Sequence, residues 1–312
     1  DNSVEYVPSL TADASEPESL ELAGVDANKC RGVIAVTASD EINLQIAISS
    51  KLLHPNVKVI CRSDQKEHED NMLSFGTDHI IDPFDTFATY LATAIEVPCM
   101  YLLQMLLYSG NKEVRLQEPI YPPRHKPWII CGYGRFGKAV YQRLKKEGND
   151  IVVIEARPDL TGLPSGGVVE GRGTEAETLL QAGVEHAAGL IAGTDNDANN
   201  LSIVVTAREL NPDLFFIVRQ NYTDNSAIIK AVKADMVMQP SQIIADKIRV
   251  LLATPILNDF MSHACHQDND WACELVSRIS ALVLTRAPQL HEVCIDDDQA
   301  KQYQNNRYRR RY

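Results

Sequence analysis

WIICGYGRFGKAVYQRLKKEGNDIVVIE, residues 128–155, decides the fold. An apolar run, Trp128-Ile129-Ile130-Cys131, meets a glycine turn in which Gly132, Gly134 and Gly137 form G-x-G-x-x-G. A stretch of helical period follows, and a second apolar run, Ile151-Val152-Val153-Ile154, ends at Glu155. The glycine spacing is a weak signal alone, but between a strand and a helix each glycine has a mechanical task. The first permits the tight turn, the second lets a pyrophosphate approach the backbone, and the third lets the helix lie close on the strand. Phosphate then sits on unpaired amides at the positive end of the helix dipole, with Arg135 and Phe136 expected to cover it. Glu155 stands where such folds hold the adenosine ribose hydroxyls. Its charge repels a 2'-phosphate and the nearby Arg157 offsets part of that repulsion, so the stretch favours NAD(H) or an adenine nucleotide (ATP, ADP or AMP) over NADP. The competing account is a glycine turn in a Rossmann-like sheet that binds nothing.

Outward from this stretch the chain repeats itself. Gly32-Val33-Ile34-Ala35 matches Gly189-Leu190-Ile191-Ala192, and the same offset of 157 positions pairs Thr37 with Thr194, Asn43 with Asn200, Pro55 with Pro212, Arg62 with Arg219, Asp78 with Asp235 and Pro83 with Pro240. Each copy alternates short apolar strands with amphipathic segments, the pattern of a parallel sheet with helical crossovers. A long helix is expected to close each copy, over 84–108 in the first and 241–264 in the second. The fold class is therefore α/β, with two Rossmann-like parallel-sheet domains in tandem, the first lacking its N-terminal glycine-rich half. A sheet cut there exposes an unpaired strand edge. The expectation is that the sequence is a fragment of a longer protein, or that another segment supplies the missing strands.

The 312 residues, 45% hydrophobic and 23% charged, suit two globular domains. A formal net charge of −12 argues against a nucleic-acid partner, which needs a basic surface; the one basic cluster, 306–312, reads as a solvated tail. No run has the roughly 18 apolar residues of a membrane helix, and residues 1–22, acidic and polar, do not read as a signal peptide. The 7 cysteines are odd in number and scattered in apolar runs, so buried thiols are expected rather than a disulfide framework.

With the repeat and the glycine turn in hand, the chain resembles the RCK (regulator of potassium conductance, or Trk-type NAD-binding) family. The residues that carry the resemblance are Gly132-Tyr133-Gly134-Arg135-Phe136-Gly137, Glu155-Ala156-Arg157-Pro158, Gly171-Arg172-Gly173-Thr174, Ala182-Gly183-Val184, residues 189–194, Asn200 and Val218-Arg219. The resemblance divides the chain into an incomplete first N-lobe (1–108), a proline-rich linker (109–126), a second N-lobe with the nucleotide site (127–265) and a short C-terminal extension (266–312). It implies a ligand-sensing domain at the cytosolic face of a potassium channel or transporter. Homo-oligomers of such domains, dimers assembling into a gating ring on a tetrameric channel, would bias a potassium pore module. In such rings the long helices cross to a neighbouring domain; a buried core helix is the alternative for 84–108 and 241–264. The family's usual Gly-Asp-Ala-Thr turn is Gly171-Arg172-Gly173-Thr174 here, which puts a cation in the wall of the site. Thr194, Asp195 and Arg219 complete the candidate cofactor-binding set at strand ends beside the crevice.

A dehydrogenase would share the glycine turn, yet it also needs a proton donor or acceptor beside the nicotinamide. His125 and His186 are the histidines near the second repeat, neither ends an expected strand, and both read as surface residues. The chain has no G-x-S-x-G turn and no Walker A lysine. For metals, His263, Cys265, His266 and Cys273 fit none of the usual zinc spacings. Divalent-ion gating in relatives makes Asp64, Glu67, Glu69 and Asp70, or 296–298, candidates for Ca2+, with solvated acids as the default.

Overall fold

The computed structural model describes residues 8–27, 29–108, 120–283 and 288. The first repeat runs α1 (Pro17–Leu22), β1 (Gly32–Ala35), α2 (Asp40–Leu53), β2 (Lys58–Arg62), α3 (Lys66–Ser74), β3 (His79–Ile81), α4 (Pro83–Glu96) and α5 (Pro98–Tyr108). The second opens with β4 (Trp128–Cys131), α6 (Arg135–Lys146), β5 (Ile151–Glu155), α7 (Pro158–Thr161) and β6 (Gly167–Glu170). It continues through α8 (Ala176–Gln181), β7 (Gly189–Ala192), α9 (Asp197–Leu210), β8 (Phe215–Arg219), α10 (Ser226–Ala231) and β9 (Met236–Met238). Three helices follow: α11 (Pro240–Ala253), α12 (Pro255–Ala264) and α13 (Asn269–Val283).

The second sheet has six parallel strands in the order β6-β5-β4-β7-β8-β9 and the first has three in the order β1-β2-β3. The three match β7-β8-β9, so among the described residues the first sheet has no counterpart of β4, β5 and β6. Ile34 and Val36, on the edge that β4 would cover, are each 43% exposed, whereas Ile191, the counterpart of Ile34, is fully buried.

Both faces of the six-stranded sheet are dry along its central strands, as a parallel sheet requires. Alternation along β4 sends Trp128 and Ile130 to one face and Ile129 and Cys131 to the other. The latter face is covered by Leu179, Ile203, Val204, Ala207 and Ile229 from α8, α9 and α10. The former is covered by α6 and by a helix of the first repeat. Phe84, Phe87, Ala88, Leu91 and Ile95 of α4 share a core with Phe136, Val140 and Leu144 of α6. The exchange is reciprocal, because Ile244 and Leu251 of α11 pack on Ile60 and Ile81 of the first sheet. The crossing expected of the two long helices thus takes place between the repeats of one chain.

Neither long helix is continuous. Each breaks where proline removes an N–H and pushes the residue before it out of the helical region: Val97 (φ −133, ψ 70) before Pro98, and Thr254 (φ −146, ψ 64) before Pro255. Beyond the breaks, α5, α12 and α13 form one cluster through Met100, Leu103, Leu107, Leu257, Met261, Ala272 and Val276. That cluster takes up Leu102, Leu103 and Leu107 of the apolar stretch 101–107, while Tyr101 packs on the core above β4 and Met105 stays exposed.

The expectation of free thiols fails at one pair, since Cys99 and Cys273 are joined by a disulfide. The partners lie far apart in sequence and meet only because α13 folds back onto α5, which no cysteine spacing reveals. Cys61 and Cys131 are buried free thiols, each pushed up to about 12 by burial, Cys30 is half-buried, and Cys265 is exposed. Cys294, 296–298 and the basic tail lie outside the described residues.

Leu91 is fully buried where α4 crosses to the second sheet. Leu91→Ala is expected to cost about 2–5 kcal/mol, the range for truncating a buried leucine. Denaturant unfolding should remain one cooperative transition that takes both repeats together; two separated transitions would show that the exchange does not bind the repeats into one unit.

Candidate functional site

The chain leaves β4 to build β5 and β6 on one side and returns to build β7, β8 and β9 on the other. The crevice at the carboxyl ends of β4 and β7 is therefore the topological switch point, where open α/β sheets place ligands. The glycine turn sits there and its three glycines differ as their tasks require. Gly132 has φ +97, which only glycine adopts at ease. A Cβ on Gly134 would meet nothing within 4 Å, so the backbone is bare toward the crevice. A Cβ on Gly137 would collide with the carbonyl oxygen of Gly132, so this glycine lets α6 close on the turn. Gly134 caps α6 without a side-chain hydrogen bond, leaving the first-turn amides to an external acceptor.

Glu155, at the end of β5, is buried, and its carboxylate braces the turn. Oε2 accepts from the Tyr133 amide at 2.6 Å and Oε1 from the Arg157 amide at 2.8 Å. Each oxygen keeps a second lone pair for another donor. The Arg157 side chain is exposed, and so is Arg172 on the turn after β6.

Beyond β7, Thr194 is already engaged. Its amide and hydroxyl donate to Asn200 Oδ1 at 2.9 and 2.7 Å, while Asn200 Nδ2 donates to the Thr194 and Arg219 carbonyls at 3.0 and 2.8 Å. The first repeat has the same brace, Asn43 holding Thr37 and the Arg62 carbonyl. Asp195 is exposed beside the crevice. Below it Asp197 accepts from the Asn221 and Tyr222 amides and from the Asn221 and Asn225 side chains. Burial raises the Asp197 carboxyl, but these hydrogen bonds outweigh it and hold the group below the usual carboxylate range.

Two expected contributions are placed differently. Phe136 does not cover the turn: it is fully buried, edge-on to Phe87 at 5.7 Å, because the second residue of α6 faces the sheet and α4. Arg135 does face outward, and its Nη1 lies 2.9 Å from Oδ2 of Asp64 in the first repeat. Arg219 closes the far side with its guanidinium 5.0 Å from the centre of the Phe84 ring. Burial and the neighbouring Arg135 lower its pKa, and its Nε is buried without a hydrogen-bond partner. Sequence reasoning missed Phe84 and Asp64 as walls of this site because it read the first as part of a crossing or buried core helix and the second as a helix-start acid or a Ca2+ candidate. The offset pairing Asp64 with Asn221 was the available signal.

His125 and His186 are exposed. Among the described residues no three His, Cys, Asp or Glu side chains converge as metal ligands. Cys273 is held in the disulfide, and Asp64 is committed to arginines.

The TrkA-N domain family matches residues 2–83 and 128–240, more than half of the chain. Among curated relatives, Probable potassium channel protein 2 of Methanocaldococcus jannaschii is 30% identical over 43% of this chain and 41% of its own length. A Trk system potassium uptake protein TrkA homolog of Pyrococcus horikoshii is 32% identical over 42% of this chain and 61% of its own. The chain thus spans less than two thirds of either relative. Among solved structures, the GsuK channel bound to ADP superposes with a TM-score of 0.60 at 20% identity, covering 78% of this chain and 56% of that one, a likeness of fold.

Because the folded pKa of Asp197 lies below its unfolded value, this group adds stability that is complete above the ordinary aspartate pKa of about 3.9 and is lost as pH falls through the depressed folded value. Asp197→Asn is expected to lower the melting temperature at pH 7 and to flatten the acid limb of stability below about pH 4. An unchanged acid limb in acid titration of the two proteins would remove Asp197 from that role.

Proposed function

Because this chain belongs to the TrkA-N domain family and carries two of its domains in tandem, we propose that it is a regulatory module that binds an adenine nucleotide or NAD(H) and thereby controls potassium flux through a pore. The observation that carries the reading is the glycine turn: a positive φ at Gly132, open space at Gly134 and a close approach at Gly137, with the Glu155 carboxylate at the end of the next strand. The names of relatives on both sides of the family, channel and uptake system, support potassium as the transported ion. Adenosine ribose rests on Glu155 and phosphate on the first-turn amides of α6. What extends further passes over β7 and β8 toward Thr194, Asp195 and Arg219.

The module acts by binding, without turnover, at the cytosolic face of the membrane, where dimers assemble into a gating ring on a tetrameric channel. Ligand biases the ring by no more than its difference in affinity for the two ring states. A separate regulatory subunit of a Trk-type transporter is the second reading, favoured by the Pyrococcus relative. Co-purification with a covalent or a detachable pore separates the two.

Calorimetric titration with NAD+, NADH, ATP, ADP, AMP and Ca2+ should give one saturable adenine ligand per chain. Glu155→Ala should weaken it by about tenfold or more, on the scale of 1.5–3 kcal/mol for a hydrogen bond to a charged group. Gly134→Ala, which meets nothing in the fold, should keep the melting temperature and lose affinity through its methyl group. Unchanged affinity in both folded variants would place the ligand elsewhere.

A further inference from the structure

The crevice lies at the carboxyl ends of the strands. At the opposite end of the second sheet, where β9 begins, a separate cavity of about 320 Å³ lies between the repeats, a size that small-molecule sites have. Tyr90 of α4 and Tyr101 and Tyr108 of α5 line it from the first repeat, and Asp235, just before β9, with Gln242 and Asp246 of α11 from the second. Among the described residues its lining holds two carboxylates and no lysine, arginine or histidine.

The repeat shows that Asp235 lacks a cation its counterpart has. In the first copy Asp78 accepts the Val59 amide and the Lys51 ammonium, both at 2.8 Å. Asp235 keeps the equivalent amide bond, Oδ2 accepting from Phe216 at 2.7 Å. The offset of 157 pairs Lys51 with Arg208, and Arg208 lies instead over the Phe216 ring at 4.7 Å and against the Lys233 carbonyl. Asp235 is therefore an exposed acid at the cavity with Oδ1 left for another donor. Asp246 accepts from Gln242 Nε2 at 2.8 Å and has Arg249 as a looser partner at 3.7 Å. The phenols gather around the same point: burial raises the Tyr90 hydroxyl, and Tyr108, Asp246 and Tyr101 raise it further. One of these rings already serves a cation, since the Lys247 ammonium lies 5.9 Å from the centre of Tyr108.

We propose that this cavity binds a small organic ammonium ion, with its charged head against the tyrosine rings and the Asp235 and Asp246 carboxylates and its apolar body against Phe87 and Met236. The absence of a base in the described lining disfavours an anion. A bare metal ion asks for six or more oxygens, whereas rings and apolar side chains make up most of this wall and suit alkyl groups around a charge. Because the wall comes from both repeats, the ligand binds only where they stand together and adds to the stability of their junction by mass action. None of this depends on the nucleotide reading of the crevice.

The test is calorimetric titration of the full chain with choline and putrescine, each beside its uncharged counterpart, dimethylbutanol and butanediol. At least one of the two cations should bind saturably at millimolar concentration, raise the melting temperature, and bind about tenfold more tightly than its neutral counterpart, the worth of a cation on an aromatic face beside an acid. Asp235→Asn keeps an acceptor for the Phe216 amide and removes the charge; it should weaken the cation by about threefold to tenfold. Tyr90→Phe, which keeps the ring, should retain affinity, and Tyr90→Leu should lose it. Should Tyr90→Leu fail to fold, Asp235→Asn at its exposed position still decides, and unchanged affinity there would overturn the proposal. So would equal binding of a cation and its neutral counterpart, which would mark a merely apolar pocket, or failure of both cations to bind.

Discussion

Each sheet of this protein is covered on one face by a helix that belongs to the other repeat. A parallel sheet is stable only with both faces dry, and here, among the described residues, each repeat completes the cover of one face with a helix of the other. Phe84, Phe87 and Leu91 are carried out of the first repeat by α4 and complete the core above β4, while Ile244 and Leu251 return the exchange through α11. The junction between repeats is consequently interior at these side chains, with a cavity of about 320 Å³ beside them between Tyr90, Tyr101 and Gln242. Close packing resists gradual sliding and favours movement between discrete arrangements. Phe84 stands on the first turn of the exchanged helix and also between the two arginines of the crevice, so the wall of the site and the seam of the molecule share a side chain.

The parts of this design that were legible in the sequence are those set by local chemistry. The glycine turn carries its steric needs in consecutive residues, and both apolar runs beside it became adjacent parallel strands. The repeat was legible because the same braces recur: Asn43 and Asn200 fall on the same carbonyls. What was missed depends on long-range packing. Nothing local to Phe136 says that the second residue of the helix turns inward, because the helix it meets comes from another repeat. The breaks at Pro98 and Pro255 were readable from proline chemistry alone, but the apolar period runs across both prolines and masks them. The Cys99 to Cys273 bond depends on α13 returning to α5, a contact with no local trace.

Charge distribution follows the same division. Acids gather on the first repeat's side of the junction, at Asp40, Asp64 and Asp82, where burial and the neighbouring Asp64 charge raise the Asp82 carboxyl. Arg135 and Arg219 stand on the second repeat's side. Arg62 on the first side and Asp195 and Asp197 on the second offset part of this separation, and an anion entering from the crevice changes the balance more than a neutral ligand of equal size.

The first repeat keeps the asparagine brace, the aspartate beneath it and the arginine at the strand end. Duplication has thus left an internal control inside one molecule. Features present in both copies belong to the architecture, and features present in one belong to its trade. By that measure Thr194, Asn200 and Asp197 are structural members that happen to border a crevice. In the stretch the two copies share, the acid at Asp64 stands where the second copy has Asn221, and that difference marks one copy from the other.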